Sequence, residues 1–493
     1  MARCIMVQGT MSGTGKSLLA TALCRIFRQD GYRVAPFKSQ NMALNSYITR
    51  DGLEMGRAQA AQAEAAGCEP DVRMNPILLK PSSDTGSQLI VNGEVRGAYR
   101  AADYFKMKRS LIPDILAAYN SLAAEYDIIV IEGAGSPAEI NLKADDIVNM
   151  GLAALVNAPV LLVGDIDRGG VFAQLYGTVA LLEETERARI IGTVINKFRG
   201  DVEILRPGLS MLEEKTGIPV LGVVPYTRAD IDDEDSLAPR LEETHVHRPL
   251  DIAVIRLPRI ANFTDFSPLE AHPLLGVRYV TRTADLGTPN MIILPGTKNT
   301  MGDLRWMRQN GLETAIQKLV SSGTPILGIC GGYQMLGETL SDPDAVEQGG
   351  TMRGMGLLPC HTVFCNAKTR TRRRAVTADG PLAGAHLNGY EIHMGQTVTS
   401  GAAPFCTFED GSPDGAVCGN VYGTYLHGLF DTGELTGKLG DYLAQCSGLN
   451  RNSLQVESHA AYKERQYNLL ADAVRNNLDM NAVYRAMEEY HHE

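Results

Sequence analysis

The feature that most constrains this chain is the stretch Gly9-Thr-Met-Ser-Gly-Thr-Gly-Lys-Ser17, set between the apolar run Cys4 to Val7 and the helical pattern Leu18 to Phe27. Glycines let successive backbone N–H groups turn toward an anion, and the start of the following helix adds partial positive charge. Lys16 is placed to reach the outer phosphates of a nucleotide, and the Ser17 hydroxyl suits Mg²⁺. A loop of this kind works only at a strand-to-helix junction, so it commits the start of the chain to a parallel α/β sheet with its ligand at the carboxyl ends of the strands. The loop is a variant: Gly9 and Gly15 enclose five residues where the strict phosphate loop has four. Gly13, Thr14, Gly15, Lys16 and Ser17 are the candidate ATP contacts.

The following sequence keeps the same rhythm. Short apolar runs at Val34 to Phe37, Ile128 to Ile131, Val160 to Val163 and Ile190 to Ile195 alternate with helix-length amphipathic segments, which predicts a parallel sheet with helices on both faces. The run Tyr126-Asp-Ile-Ile-Val-Ile-Glu132 ends in a carboxylate at the strand's C-terminal end, where it can hold Mg²⁺ together with Ser17. A strand-end acid facing solvent is the alternative for Glu132. Asp51, Asp165 and Asp167 are weaker candidates for the same work. After Pro225 the pattern breaks into the acidic stretch Asp230 to His247, and a second alternation begins at Ile252 to Ile255 and runs through Val277 to Val280, Met291 to Leu294 and Ile326 to Ile329. The expected organisation is therefore two α/β domains: residues 1–229, a linker over 230–249, a second domain over 250–445 and a helical tail over 446–493. The Gly-, Thr- and His-rich portion from Leu357 to Val421 is expected to add antiparallel strands.

Composition narrows the function. At 493 residues the chain exceeds one ordinary core, and 44% hydrophobic with 21% charged residues is the balance of a globular protein. A net charge of -11 argues against nucleic acid as a partner, although Arg370, Arg372, Arg373 and Arg374 could bind carboxylates locally or sit in a solvated loop. Nine scattered cysteines without CxxC pairs suggest neither a disulfide framework nor a zinc site, and fit a reducing cytoplasm. The stretch Gly151 to Gly164 is broken by Asn157 and Pro159 and is too short for a membrane span.

A second chemical signal lies at Pro325-Ile-Leu-Gly-Ile-Cys-Gly-Gly-Tyr-Gln-Met-Leu-Gly337, an apolar strand followed by a Gly-x-Cys-Gly-Gly turn and a helical start. Such an elbow lifts Cys330 clear of the sheet, favours its thiolate at the helix N-terminus, and offers backbone N–H groups to an oxyanion. A buried structural cysteine is the bland alternative, which the flanking glycines disfavour. A base is needed, and Val421-Tyr-Gly-Thr-Tyr-Leu-His-Gly-Leu-Phe430 supplies His427.

Together these two segments resemble a class I glutamine amidotransferase domain over roughly residues 250 to 445. By that resemblance Cys330 attacks the carboxamide of L-glutamine, ammonia leaves, and His427 moves protons while water hydrolyses the thioester. Leu294-Pro-Gly-Thr-Lys-Asn299 stands where that family has its oxyanion loop, which implicates Gly296 beside Gly331. Most of the class carry Glu two positions after the histidine, where this chain has Leu429. Either another group orients His427 or a Cys-His dyad suffices.

The first half, with Ile131-Glu-Gly-Ala-Gly135 and Thr193-Val-Ile-Asn-Lys197, resembles the dethiobiotin synthetase-like phosphate-loop ligases, in which the residue matching Asn196 contacts adenine. A ligase of that kind joined to an amidotransferase is the arrangement of the corrinoid amide synthases, whose departure at Leu429 this chain shares. Phe37-Lys-Ser-Gln-Asn-Met-Ala-Leu-Asn-Ser46, Gly56-Arg-Ala-Gln-Ala-Ala-Gln-Ala-Glu64 and Met74-Asn-Pro-Ile-Leu-Leu-Lys-Pro81 are similar to the branch that amidates the b, d, e and g carboxylates of adenosylcobyrinic acid a,c-diamide. The resemblance implies ATP and Mg²⁺ as cofactors and a corrinoid carboxylate as substrate. Ser39, Gln40, Asn41 and Asn45, just past a strand's carboxyl end, are the candidate substrate contacts. Competing readings are an amidotransferase for another carboxylate, such as a cobyrinate or cell-wall precursor, and a non-enzymatic phosphate-loop regulator.

Overall fold

A computed structural model of the chain describes residues 2–81, 86–232, 239–242, 248–449 and 458–492. The backbone gathers into two compact units, the first from residues 1–43, 53–234 and 463–493, the second from 44–52 and 235–462. Packing therefore departs from chain order in two places: a short stretch after Ala43 joins the second unit, and the chain from Lys463 onward joins the first. Much of the acidic stretch read as a linker falls outside the described residues.

In the first unit six parallel strands lie in the order Val220–Pro225, Ile190–Phe198, Val160–Asp165, Arg3–Gly9, Ile128–Glu132, Val34–Phe37. Ile5, Met6 and Val7 have no exposure, as expected of a central parallel strand covered on both faces. Val7 is in register with Glu132 and Gly9 with Val163, so the glycine loop and Glu132 leave the sheet at the same carboxyl edge. A smaller sheet in this unit, Gln40–Met42 beside Ile77–Pro81, Gly86–Val91 and Glu94–Arg100, puts Gln40 and Asn41 on its edge strand.

The helix Lys16–Gln29 buries Leu19, Leu23, Ile26 and Phe27 at spacings of three and four, the stripe an amphipathic helix turns to a core. These side chains share one core with Tyr467, Leu470, Val474 and Val483 of the helices His459–Arg475 and Met480–His492. Burying an aliphatic side chain fully contributes about 1.5–3 kcal/mol. The helical C-terminal segment is thus part of the core that supports the phosphate loop.

The second unit has the strand order Leu275–Val280, Leu250–Ile255, Met291–Leu294, Ile326–Ile329, Val421–Thr424, Ala416–Cys418, parallel except for the last pair. A separate sheet is built on the long antiparallel pair Cys360–Thr377 and His386–Thr399, in the portion expected to be antiparallel. The arginine cluster lies within this pair and is not a solvated loop. Arg373 binds Glu391 at 3.0 Å and Asp410 at 2.8 Å, Arg374 pairs with Glu409 at 3.7 Å, and Arg372 donates to the Tyr47 hydroxyl. Among the described residues no helix is long and apolar enough to cross a membrane.

Candidate active site

The loop of the first unit owes its shape to its glycines. Gly13 and Gly15 adopt φ of 76° and 94°, and a Cβ on Gly15 would fall 2.1 Å from Asn196 Nδ2. Asn196 in turn donates to the Thr14 carbonyl at 2.8 Å, and Lys197 reaches the Gly13 carbonyl at 2.6 Å and Asp165 at 2.8 Å. The end of the strand Ile190–Phe198 therefore braces the loop from one side. The Lys16 ammonium sits over the loop, donating to the carbonyls of Met11 and Gly135 at 3.0 Å each.

Glu132 is 1% exposed and gathers three donors: Ser17 Oγ at 2.8 Å, Lys38 Nζ at 2.8 Å and Gln62 Nε2 at 2.5 Å. Burial pushes its carboxyl up, but the Lys38 ammonium and the hydrogen bonds outweigh burial and hold it below the usual carboxylate range. A charged carboxylate oxygen beside the Ser17 hydroxyl is a donor set that suits a small hard cation completed by phosphate and water oxygens. Among the described residues no group of three or more His, Cys, Asp and Glu gathers as a metal site, so such a cation would lean on the nucleotide. Asp165 is committed to Lys197 and Asp167 to Arg199. Lys38 and Gln62 lie in the segments Phe37 to Ser46 and Gly56 to Glu64, yet nothing in the sequence marks them as partners of Glu132.

The candidate substrate residues are mostly drawn into the protein. Ser39 donates to the Ile147 carbonyl at 2.7 Å, Asn41 to Gln59 at 2.9 Å, and Gln40 accepts from the Tyr104 hydroxyl. Asn45, in the second unit, is fully buried.

In the second unit Cys330 stands at φ 52° and ψ -109°, at the N-cap of the helix Gly331–Leu336. The turn is tight enough to require its glycines: a Cβ on Gly332 would lie 2.0 Å from the Leu294 carbonyl oxygen, and one on Gly328 2.7 Å from the Gly332 backbone. The Cys330 N–H is tied to the Thr424 carbonyl of the neighbouring strand at 2.8 Å. Gly331 lies against Thr297, and a Cβ on Gly296 would touch His427 Cε1 at 2.9 Å. The elbow, the Gly296 loop and His427 therefore converge.

His427 is 1% exposed, and its Nδ1 lies 2.7 Å from Asp265 Oδ2. Asp265 is fixed by a second bond from the Gly428 N–H at 2.9 Å, while Leu429 points into the core with no exposure. Burial pulls the imidazole down, but the Asp265 carboxylate, with Cys330 on the other side, raises it to about 10. The arrangement brings a thiol, an imidazole and a carboxylate on the imidazole's far nitrogen together, the constituents of a hydrolytic triad. Asp265 stands against His427 where Leu429 offers no carboxylate. It comes from the segment Phe263–Phe266, 162 residues before the histidine.

Residues 5–238 match the CobQ/CobB/MinD/ParA nucleotide binding domain family, and residues 251–435 the CobB/CobQ-like glutamine amidotransferase domain family. Over 99% of its length the chain is 58% identical to the cobyric acid synthase of Ruminiclostridium cellulolyticum, covering 98% of that protein. The chain belongs to the cobyric acid synthases. A second cobyric acid synthase, from Lachnoclostridium phytofermentans, is 57% identical over 99% of this chain and all of its own length, and that of Klebsiella pneumoniae is 51% identical over 99% of both. The expected pairing of a phosphate-loop nucleotide domain with an amidotransferase domain is borne out by these matches.

Proposed function

We propose that this chain uses ATP and glutamine to amidate the b, d, e and g carboxylates of adenosylcobyrinic acid a,c-diamide. The observation that carries the reading is the near full-length identity to cobyric acid synthases, with a nucleotide-binding domain and an amidotransferase domain matched in one chain.

In the glutaminase centre Cys330 is the nucleophile. Its proton passes to His427 Nε2, a thioester forms at the glutamine carboxamide carbon, and the backbone at Gly296 and Gly331 receives the oxyanion. His427 returns the proton to the departing ammonia, Asp265 holds the ring on Nδ1, and water then releases glutamate. In the synthase centre Gly13, Thr14, Gly15, Lys16 and Ser17 bind the phosphates of ATP, and Asn196 faces the base. Ser17 and Glu132 would hold Mg²⁺, which when bound neutralises phosphate charge. Lys38 keeps Glu132 ionised. A substrate carboxylate oxygen attacks the γ-phosphorus, ADP leaves, and ammonia displaces phosphate from the acyl carbon. Of Ser39, Gln40, Asn41 and Asn45, Gln40 keeps partial exposure and is the contact for the corrinoid, Ser39 and Asn41 shape the backbone beside it, and Asn45 is buried in the second unit. The cytoplasm, rich in ATP and reducing toward the Cys330 thiol, is the compartment that fits.

Incubation with ATP, Mg²⁺, glutamine and cobyrinic acid a,c-diamide, followed by mass spectrometry, tests this reading. The expected product shows successive unit mass decreases, one for each of the b, d, e and g positions. An unchanged corrinoid mass beside continued glutamate release would redirect the assignment to another carboxylate.

A further inference from the structure

The second unit contains an element with no part in the chemistry so far. Ser46, in the short stretch contributed from the N-terminal part of the chain, is gripped on both sides of its backbone by residues that flank His427. Its N–H donates to Asn262 Oδ1 at 2.9 Å, and its carbonyl accepts from the Tyr390 hydroxyl at 3.0 Å. Tyr390 stacks on the His427 ring, with centroids 5.4 Å apart and planes 21° apart. Asn262 Nδ2 lies 3.4 Å from His427 Nε2. All four residues are buried, Asn262 to 4% exposure and Ser46 to 1%.

The orientation of the Asn262 amide is dictated, because a backbone N–H only donates: Oδ1 must face Ser46, and the nitrogen must then face His427. Asn262 also adopts φ 54°, a left-handed conformation that asparagine accepts more readily than most residues. A donor aimed at Nε2 leaves that nitrogen as an acceptor and keeps the ring proton on Nδ1, toward Asp265. This is the neutral form left once the imidazolium has passed its Nε2 proton to the departing ammonia, the form in which His427 can next draw a proton from the water that hydrolyses the thioester. We propose that Asn262 is a positioning residue for glutamine hydrolysis, oriented by the backbone amide of Ser46 so that its side-chain nitrogen steers His427 Nε2. The inference rests on the amide-synthase reading above.

Glutamate release from glutamine and ammonium-supported amidation, measured side by side, test it. Wild-type protein that released glutamate but amidated no corrinoid would sink the substrate reading alone, because glutamate release needs only the Cys330 centre. Asn262→Gly removes the amide while tolerating φ 54°. The kcat for glutamate release should fall about tenfold, the worth of one hydrogen bond, with KM for glutamine nearly constant and ammonium-supported amidation unchanged. Ser46→Pro deletes the orienting N–H and should give a similar loss. The double variant should be no slower than the worse single one, since both act by one route. Asn262→Asp keeps the acceptor for Ser46 but presents no donor to His427, and should stay impaired. The proposal is overturned by full glutamate release in Asn262→Gly, by restoration of wild-type turnover in Asn262→Asp, by losses that multiply in the double variant, or by equal loss with both nitrogen sources.

Discussion

The two centres of this chain solve opposite electrostatic problems. In the first, a buried carboxylate, Glu132, is kept charged by Lys38, Gln62 and Ser17 around it. In the second, a buried imidazole, His427, is favoured in its charged form by one carboxylate, Asp265. Both place a charge where burial alone would remove it, and both do so with a partner from a different strand or loop. The phosphate loop of the first centre grows from one strand-to-helix junction, while Lys38, Gln62, Glu132 and Asn196 reach it from other stretches of the same unit. The second has no such consecutive segment as its base and is assembled from four stretches around residues 265, 296, 330 and 427.

The sharpest way to break this comparison is to silence each centre alone. Cys330→Ala should abolish glutamine-supported amidation, a loss on the order of 10⁴-fold, yet leave ammonium-supported amidation. Lys16→Ala should remove amidation with either nitrogen source while glutamate release continues, and metal chelation with EDTA should reproduce the Lys16 phenotype and not the Cys330 one. Product quantified by mass spectrometry and glutamate by a coupled assay would check the pattern. Loss of both nitrogen sources in Cys330→Ala would show that the centres are not chemically separate.

A smaller effect sharpens the role of Asp265. Asp265→Asn should lower glutamine-supported kcat by on the order of 10²–10⁴-fold, as removal of the orienting carboxylate does in hydrolytic triads. The sign of the pH effect follows from the raised imidazole. Its charged form, with the stability it contributes, is fully present below the ordinary histidine value of 6.5 and is lost as pH rises toward about 10. The variant should therefore lose the imidazolium at lower pH, moving the basic limb of the kcat/KM profile toward neutrality. An unmoved limb would mean that Asp265 holds the ring in place without setting its charge.

How much of this was legible in the sequence follows from the same contrast. The phosphate loop could be read because its strand, glycines, lysine and helix are consecutive, and the elbow at Cys330 because tight turns leave glycines on both sides of the cysteine. The rhythm of short apolar runs also sufficed for two parallel sheets. Asp265 was not legible, since a lone acid in Asn262-Phe-Thr-Asp265 carries no signal until folding places it against His427. Lys38 and Gln62 were hidden for the same reason, one after a strand and one on a helix. The arginine cluster was open to two readings, carboxylate binding or a solvated loop; it lies on a strand, where Arg372 and Arg374 stay exposed and Glu391, Asp410 and Glu409 pair with Arg373 and Arg374. The partnership of Ser46 with Asn262 crosses 216 residues and involves a backbone N–H, to which side-chain patterns are blind.

The smallest effect on chemistry and the clearest on stability is expected at Lys38. Lys38→Met fills similar space but strands Glu132 in a site with almost no exposure, and removing one partner of a buried pair costs about 3–5 kcal/mol. Glu132→Gln should cost less, because the neutral amide keeps a hydrogen-bonding role, although it removes the carboxylate that Mg²⁺ would use. The pH dependence separates these outcomes. Glu132 is held below 4.5 in the folded state, so the stability it contributes is present above 4.5 and lost as pH falls through its folded value. In Lys38→Met the carboxyl loses the ammonium that holds it down and should rise, so thermal melting of the variant should improve on acidification where the wild type worsens. Melting curves for the two proteins that stay parallel across pH would mean that Gln62 and Ser17 alone keep Glu132 ionised, and that the lysine serves the first centre by some contact other than this pair.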